Sequence, residues 1–149
     1  MDIMELKLEV VILPVTDVDR AKAFYQRLDF RLDADFVIDE GYRIVQLTPP
    51  GSSASIIFGT GTLNASAAPV GGLLAAVPDI EAARADIAAR GIEISEIFHE
   101  ADPFVREGAQ YRIPGAHPER ASYSSFATFS DPDGNSWLLQ EITDRLPGR

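Results

Sequence analysis

Two stretches of the chain carry the same order of apolar and polar positions. Val15 to Leu32 reads VTDVDRAKAFYQRLDFRL, and Val77 to Ile94 reads VPDIEAARADIAARGIEI. Displaced by about 62 positions, Val15 falls on Val77, Asp17 on Asp79, Val18 on Ile80, Ala21 on Ala83, Ala23 on Ala85 and Phe30 on Ile92, the signature of one unit used twice. Each copy runs from an apolar strand into an Asp. The carboxylate of that Asp can accept from the unpaired amides of a first helical turn, so Asp17 and Asp79 read as N-caps. Apolar residues then recur at helical spacing: Val18, Ala21, Tyr25 and Leu28 in one copy, Ile80, Ala83 and Ile87 in the other. Gly91 suits a left-handed close of the second helix.

The pattern predicts a strand over Leu6 to Leu13, apolar on both faces and therefore central, then a helix from about Asp17 to Leu28. Strands follow over about Phe30–Ile38, Tyr42–Thr48 and Ala54–Phe58, separated by the turns Asp39-Glu40-Gly41 and Pro49-Pro50-Gly51. Gly59 to Val70 is rich in small and polar residues and reads as a linker. The second copy repeats the order: a strand over about Gly72–Val77, a helix over Ile80–Arg90, and strands over Ile92–Phe98, Ser122–Phe129 and about Ser136–Ile142. Residues 100–121, with Pro103, Gly108, Pro114, Gly115 and Pro118, interrupt that copy and have no counterpart in the first. A loop of this kind is either a binding element or a plain surface excursion. The expectation is one α+β domain over 1–149. Module one spans about 6–59, a linker 60–70, and module two about 71–142 with its insertion at 100–121. Two tandem βαβββ modules would form a curved eight-stranded, cup-like mixed sheet with the helices outside, and cups of that sort bind ligands.

Composition adds exclusions. The chain has 149 residues, is 46% hydrophobic and 24% charged, and carries a formal net charge of −10, which argues against a general nucleic-acid binder. It has no cysteine, hence no disulfide, thiolate nucleophile or zinc-thiolate site. The first residues, MDIMELKLEVV, lack the basic start of a signal peptide, and no apolar run is long enough to span a bilayer. A cytoplasmic protein without membrane partners is the expectation.

Common catalytic patterns fare poorly. Ser52-Ser53 and Ser124-Ser125 have no histidine at a readable spacing. Asp131 and Asp133 sit in Asp-Pro-Asp-Gly and read as turn residues. Gly59-Thr60-Gly61 has no following lysine and is not a phosphate loop. Asp33, Asp35, Asp39 and Glu40 read as a solvated strand face and turn. Only two histidines occur, His99 and His117; with Glu100, Asp102, Glu107 and Glu119 near in sequence they could form an improvised metal site or be plain surface.

The stretches Pro14-Val15-Thr16-Asp17 through Ala23-Phe24-Tyr25, Val77-Pro78-Asp79 through Gly91, and Asp131-Pro132-Asp133-Gly134-Asn135 followed by Trp137-Leu138-Leu139-Gln140-Glu141 carry a resemblance to a known family. Across nearly its whole length the chain resembles the vicinal oxygen chelate superfamily, which includes glyoxalase I, bleomycin-resistance proteins and extradiol dioxygenases. The resemblance implies the glyoxalase/bleomycin-resistance fold and a homodimer. It also implies, for the family's enzymes, a divalent metal held by His, Glu or Gln on the first and last strands of each copy. Those positions fall here on Val10, Gly72, Leu138 and Ile57, with Ser55 the alternative to Ile57 if turn lengths differ. Val10, Gly72, Leu138 and Ile57 cannot ligate, so no metal and no cofactor is expected.

With Val10 facing the cup, strand alternation turns Leu8 and Ile12 inward, sets Leu74 and Ala76 beside Gly72, and places Gln140 on the face of Leu138. Phe104, Tyr111, Phe126 and Trp137 would supply aromatic walls, a lid or simply core. Gln46, which could equally face solvent or a helix, and Gln140 read as hydrogen-bonding handles. The expected ligand-binding set is Val10, Ile12, Gln46, Ile57, Leu74, Phe126, Leu138, Gln140 and His117, serving a metal-free binder of a hydrophobic or aromatic small molecule. Two alternatives stand beside it. One is an enzyme of lyase, isomerase or dioxygenase type, using a metal at other positions or Arg112, His117, Arg120 or Tyr123 from the insertion. The other is a structural or regulatory module whose cup is filled.

Overall fold

The computed structural model describes residues 3–100 and 106–149, so Asp102, Pro103 and Phe104 of the sequence reading lie outside the described residues. The chain forms two compact units, one of Met1–Val70 with Asp131–Asn135 and one of Gly71–Ser130 with Ser136–Arg149.

The first unit is β1 (Val10–Ile12), α1 (Val18–Arg27), β2 (Arg31–Asp39), β3 (Tyr42–Thr48) and β4 (Ser55–Thr60), in a sheet of order β1-β4-β3-β2. β1 runs parallel to β4, and the other pairs are antiparallel. α1 begins where Asp17, extended at φ −132°, accepts from the Arg20 amide at 3.0 Å. The helix buries Ala21, Phe24 and Tyr25 against the helix-facing residues Leu13, Val45, Leu47, Ile56 and Phe58. Tyr25 is the centre of this core, with ring centroids 5.1 Å from Phe24 and Phe30 and 5.9 Å from Phe58.

Its hydroxyl needs a partner, and Asp131 Oδ2 accepts it at 2.8 Å. Asp131 also accepts from the amides of Asp133 and Asn135 through Oδ1, both at 2.9 Å. Asn135, fully buried, donates from Nδ2 to the Pro14 carbonyl at 2.8 Å and accepts from the Val70 amide at 2.8 Å. The turn at Asp131–Asn135 is therefore part of the first unit's hydrogen-bonded interior.

On the helix side of the sheet, Asp35 accepts from Lys22 Nζ at 2.8 Å and from Arg43 Nε and Nη2 at 3.0 Å. Arg43 also reaches Asp19 in the first turn of α1 at 2.9 Å. Hydrogen bonds from Arg43 and then Lys22 hold the Asp35 carboxyl far below the usual carboxylate range. The acidic run thus contains a clamp of helix to sheet, where the sequence suggests only a solvated face.

Two expectations change in this unit. The first strand shortens to three residues and lies at the edge of its sheet. Leu6 and Leu8 are 87% and 71% exposed, so Leu8 does not join Val10 and Ile12 on the sheet. Gly59 belongs to β4 and not to the linker, because a Cβ there would lie 1.8 Å from the Arg43 carbonyl oxygen, and only glycine lets the strands approach so closely.

The second unit is β5 (Leu73–Val77), α2 (Ile80–Ala89), β6 (Phe98–His99), β7 (Ile113–Pro114), β8 (Ser125–Ser130) and β9 (Ser136–Glu141), with sheet order β5-β9-β8-β6-β7. Asp79 caps α2 by accepting from the amides of Glu81 and Ala82 at 3.1 and 3.2 Å. Glu141, 1% exposed, accepts from the Ile80 amide at 2.8 Å. Arg120 donates to both oxygens of Glu141 and to Glu81 and Asp79. The Arg120 guanidinium, supported by the Ile80 amide, holds the Glu141 carboxyl below its ordinary value against the opposing effect of burial. Gly91, at φ 79°, closes the helix.

The strand expected over Ile92–Phe98 contracts to Phe98–His99, preceded by an isolated bridge between Ile94 and Phe129. Between them Ser95 takes over the pairing. Its amide donates to the Thr128 carbonyl and its hydroxyl accepts from the Thr128 amide, both at 2.9 Å, so a side chain replaces a ladder bond. The insertion supplies a strand: β7 pairs with β6 at the sheet edge, where Pro114 is tolerated.

Candidate functional site

Each sheet has one face toward its helix and one away from it, and alternation assigns the side chains. In the first unit Val10 is opposite Ser55, Ile12 opposite Ile57, Gln46 opposite Ile57 and Ala34 opposite Gln46. Ile56 and Phe58 on the same strand are buried toward α1, so Val10, Ile12, Ile57, Gln46 and Ala34 share the face away from the helix. Val10, Ile12, Gln46 and Ile57 are all half-buried. Gln46 thus lies on the face away from the helix, beside Ile57. At one end of that face Asp33, at a break in the β2 register, accepts from Arg31 Nε at 2.6 Å and from the Thr48 hydroxyl. Thr48 and Ser55 share a hydrogen bond of 2.6 Å. The Arg31 and Thr48 hydrogen bonds lower the Asp33 carboxyl pKa.

In the second unit Leu74 pairs with Leu138, Ala76 with Gln140, Gln140 with Phe126, and Phe126 with Phe98. These residues share the face away from α2. It is graded. Leu74 is 49% exposed and Leu138 is half-buried, whereas Phe126 and Gln140 are buried. Gln140 Nε2 donates to the Tyr123 carbonyl at 2.9 Å. The Phe126 ring stacks on Phe98 at 5.5 Å, and the Arg112 guanidinium lies 4.3 Å from the centre of the Phe98 ring. Glu100 continues β6, with its amide donating to the Ser124 carbonyl at 3.1 Å.

Trp137 is on the other face, paired with Leu73 and stacked on Phe129 at 6.0 Å, so it is core and not a ligand wall. Tyr111 stands in the insertion, 41% exposed under the Arg106 guanidinium. Phe98 was missed by sequence reasoning. As the last residue of a presumed strand it showed no partner until β6 was paired with β8.

The register also settles the equivalence of the two copies. Ile12 stands opposite Ile57 as Leu74 stands opposite Leu138, which makes Ile57, and not Ser55, the counterpart of Leu138. The residues present do not fit the metal that enzymes of the resembling family hold. Val10, Ile57 and Leu138 offer only hydrocarbon and Gly72 has no side chain. Among the described residues no three His, Asp or Glu side chains converge as an ion would need.

The polar candidates of the insertion are engaged in holding it. His117 Nδ1 accepts from the amides of Glu119 and Ala121 at 3.2 and 3.3 Å, and its own amide donates to Ser125 Oγ at 2.9 Å. Buried His99 pairs through Nδ1 with the Gly115 carbonyl at 2.8 Å, its ring 5.6 Å from that of His117. A carbonyl partner requires a proton on His99 Nδ1, and two amide partners require none on His117 Nδ1. Arg120 is spent on Glu141, and the Tyr123 hydroxyl accepts from the Leu146 amide at 3.1 Å.

Solved structures with this architecture come from several bacteria. An antibiotic binding protein, TnmS3 from Streptomyces sp. CB03234, is 24% identical, with 95% of this chain and 99% of that one covered at a TM-score of 0.66. A glyoxalase/bleomycin resistance protein from the same Streptomyces is 25% identical over 90% and 99% of the two chains, TM-score 0.61. A member of the same superfamily from Sphaerobacter thermophilus DSM 20745 is 24% identical over 93% and 99%, TM-score 0.66. No curated protein matches the chain. No helix among the described residues is long and apolar enough to cross a membrane. The family model described as Glyoxalase/Bleomycin resistance protein/Dioxygenase superfamily matches residues 7–139, and the chain belongs to that family.

Proposed function

We propose that this protein is a metal-free binder of a hydrophobic or aromatic small molecule, held against the sheet faces that turn away from the helices. One observation carries the reading. The positions where the family's enzymes would hold a metal are aliphatic or glycine, and they lie in stripes with few polar anchors, half-buried Val10, Ile12 and Ile57 beside Gln46 in one unit and exposed Leu74 with half-buried Leu138 in the other. Surfaces of that composition favour a ligand bound by apolar contact and oriented by one or two hydrogen bonds. The antibiotic binding protein from Streptomyces shares the fold and supports an antibiotic-like ligand. A homodimer is part of the reading. Strand β2 is an edge, and its Phe36, Val37 and Ile38 are 60%, 71% and 61% exposed, apolar area that a second copy would cover.

A thermal-shift screen against aromatic metabolites and antibiotics tests the proposal, since a ligand that binds only the folded state raises the midpoint. A hit whose shift disappears in Leu138→Asp and Ile57→Asp supports it. A protein that ignores every apolar compound but gains stability from one stoichiometric divalent cation overturns it.

A further inference from the structure

The buried end of the second unit's face away from α2 carries an oxygen with nothing to bind. Glu100 is 4% exposed. Its Oε1 accepts from the Arg106 amide at 3.4 Å, but Oε2 is buried and has no hydrogen-bond partner among the described residues. Because Glu100 continues the β6–β8 ladder, alternation puts its carboxylate on the same face as Phe98, about 7 Å along the strand. A buried carboxylate oxygen left unpaired costs stability, and a donor brought by a ligand would relieve that cost.

Phe98, its neighbour on that face, is an aromatic platform. Phe98 stacks on Phe126 with one face, and its ring also carries the Arg112 guanidinium at 4.3 Å. The electron-rich face of a ring attracts a cation, so this platform already holds a planar positive group. Arg112 is exposed and can move aside without disturbing the core. The chain's formal charge of −10 adds a field that draws cations and repels anions.

Resting on the reading of the protein as a binder of apolar molecules, we infer that its ligand is an aromatic compound bearing a protonated amine. The aromatic part takes the place of the Arg112 guanidinium on Phe98, and the ammonium donates to Glu100 Oε2. A neutral compound leaves that oxygen unpaired, and a carboxylate meets a like charge.

Calorimetric titration at pH 7 and low salt with three matched probes tests this: 2-naphthylmethylamine, 2-naphthylmethanol and 2-naphthoate. The amine binds about tenfold tighter than the alcohol, as a charge-assisted bond in a dry site requires, and the carboxylate is weakest. Glu100→Gln brings amine and alcohol within about threefold of each other while its circular dichroism stays native. Arg112→Ala, on the surface and harmless to folding, strengthens amine binding by clearing Phe98. If amine and alcohol bind the native protein equally, the inference fails and the reading as an apolar binder survives. If the amine preference persists in Glu100→Gln, or Arg112→Ala weakens the amine, the assignment to these residues is wrong. If no probe of any charge binds, both the inference and the reading it rests on fall.

Discussion

Replacing Asp35 by Asn isolates the clamp between α1 and its sheet. The carboxylate receives three charge-assisted hydrogen bonds, from Lys22 Nζ and from Arg43 Nε and Nη2, with side chains that are 20% exposed for Asp35, 25% for Lys22 and 22% for Arg43. Hydrogen bonds to charged groups contribute about 1.5–3 kcal/mol each when well shielded. Asn keeps one acceptor oxygen, and solvent partly screens the rest, so the loss at pH 7 is about 2 kcal/mol. For a chain of this size that lowers Tm by about 4–8 °C.

The pH dependence follows from the direction of the shift. The folded-state pKa of Asp35 is depressed, so its contribution is fully present above the unfolded value of about 3.9 and is lost as pH falls below that toward the folded one. Urea unfolding followed by far-ultraviolet circular dichroism, at steps from pH 7 to pH 2.5, therefore shows a constant gap between native protein and Asp35→Asn down to about pH 5 and a shrinking gap below about pH 4. A gap that stays the same at pH 3 as at pH 7, or one under about 0.5 kcal/mol throughout, refutes the reasoning.

Arg120→Ala strands the buried Glu141 carboxylate, so thermal unfolding at pH 7 registers a loss of about 3–5 kcal/mol, whereas Glu81→Ala, which removes an exposed partner of the same arginine, costs under about 1 kcal/mol. Asn135→Ala leaves the Pro14 carbonyl and the Val70 amide without their partner and lowers unfolding free energy in urea by about 2–4 kcal/mol. Titration with Mn²⁺, Ni²⁺ and Zn²⁺ followed by metal analysis yields less than one equivalent retained after gel filtration; a tightly held stoichiometric ion would contradict the aliphatic character of Val10, Ile57 and Leu138.

Much of the fold was legible because it rests on local grammar. Both Asp caps, both helices and the strands Tyr42–Thr48 and Ser136–Glu141 follow from side-chain periodicity and turn chemistry that the chain carries within a few residues. What was not legible depended on non-local partners. Leu6 and Leu8 continue the alternation of β1, yet no neighbouring strand meets them, so the pattern outruns the ladder. Ile92–Phe98 alternates as a strand should, but Ser95 substitutes its hydroxyl for a backbone partner and breaks it. In the candidate site, the family resemblance turns Val10 inward and strand alternation carries Ile12 with it, while the pairing of β1 with β4 sets Ile57 on the same face. That Phe98 joins Phe126, and that His117 and Arg120 serve the insertion itself, depend on pairings and loop contacts far apart in sequence.

The pentapeptide Asp131–Asn135 lies late in the chain and yet completes the interior of the early unit. A gene cut at the linker would therefore not yield two self-sufficient halves. A fragment ending at Val70 would lack the acceptor for Tyr25 and the amide that closes on Pro14. Nicking the polypeptide within the linker should leave both pieces associated, because the C-terminal piece still carries the plug that the N-terminal one needs. The two copies of the pattern are therefore not independent in this chain: the second supplies the turn that completes the first.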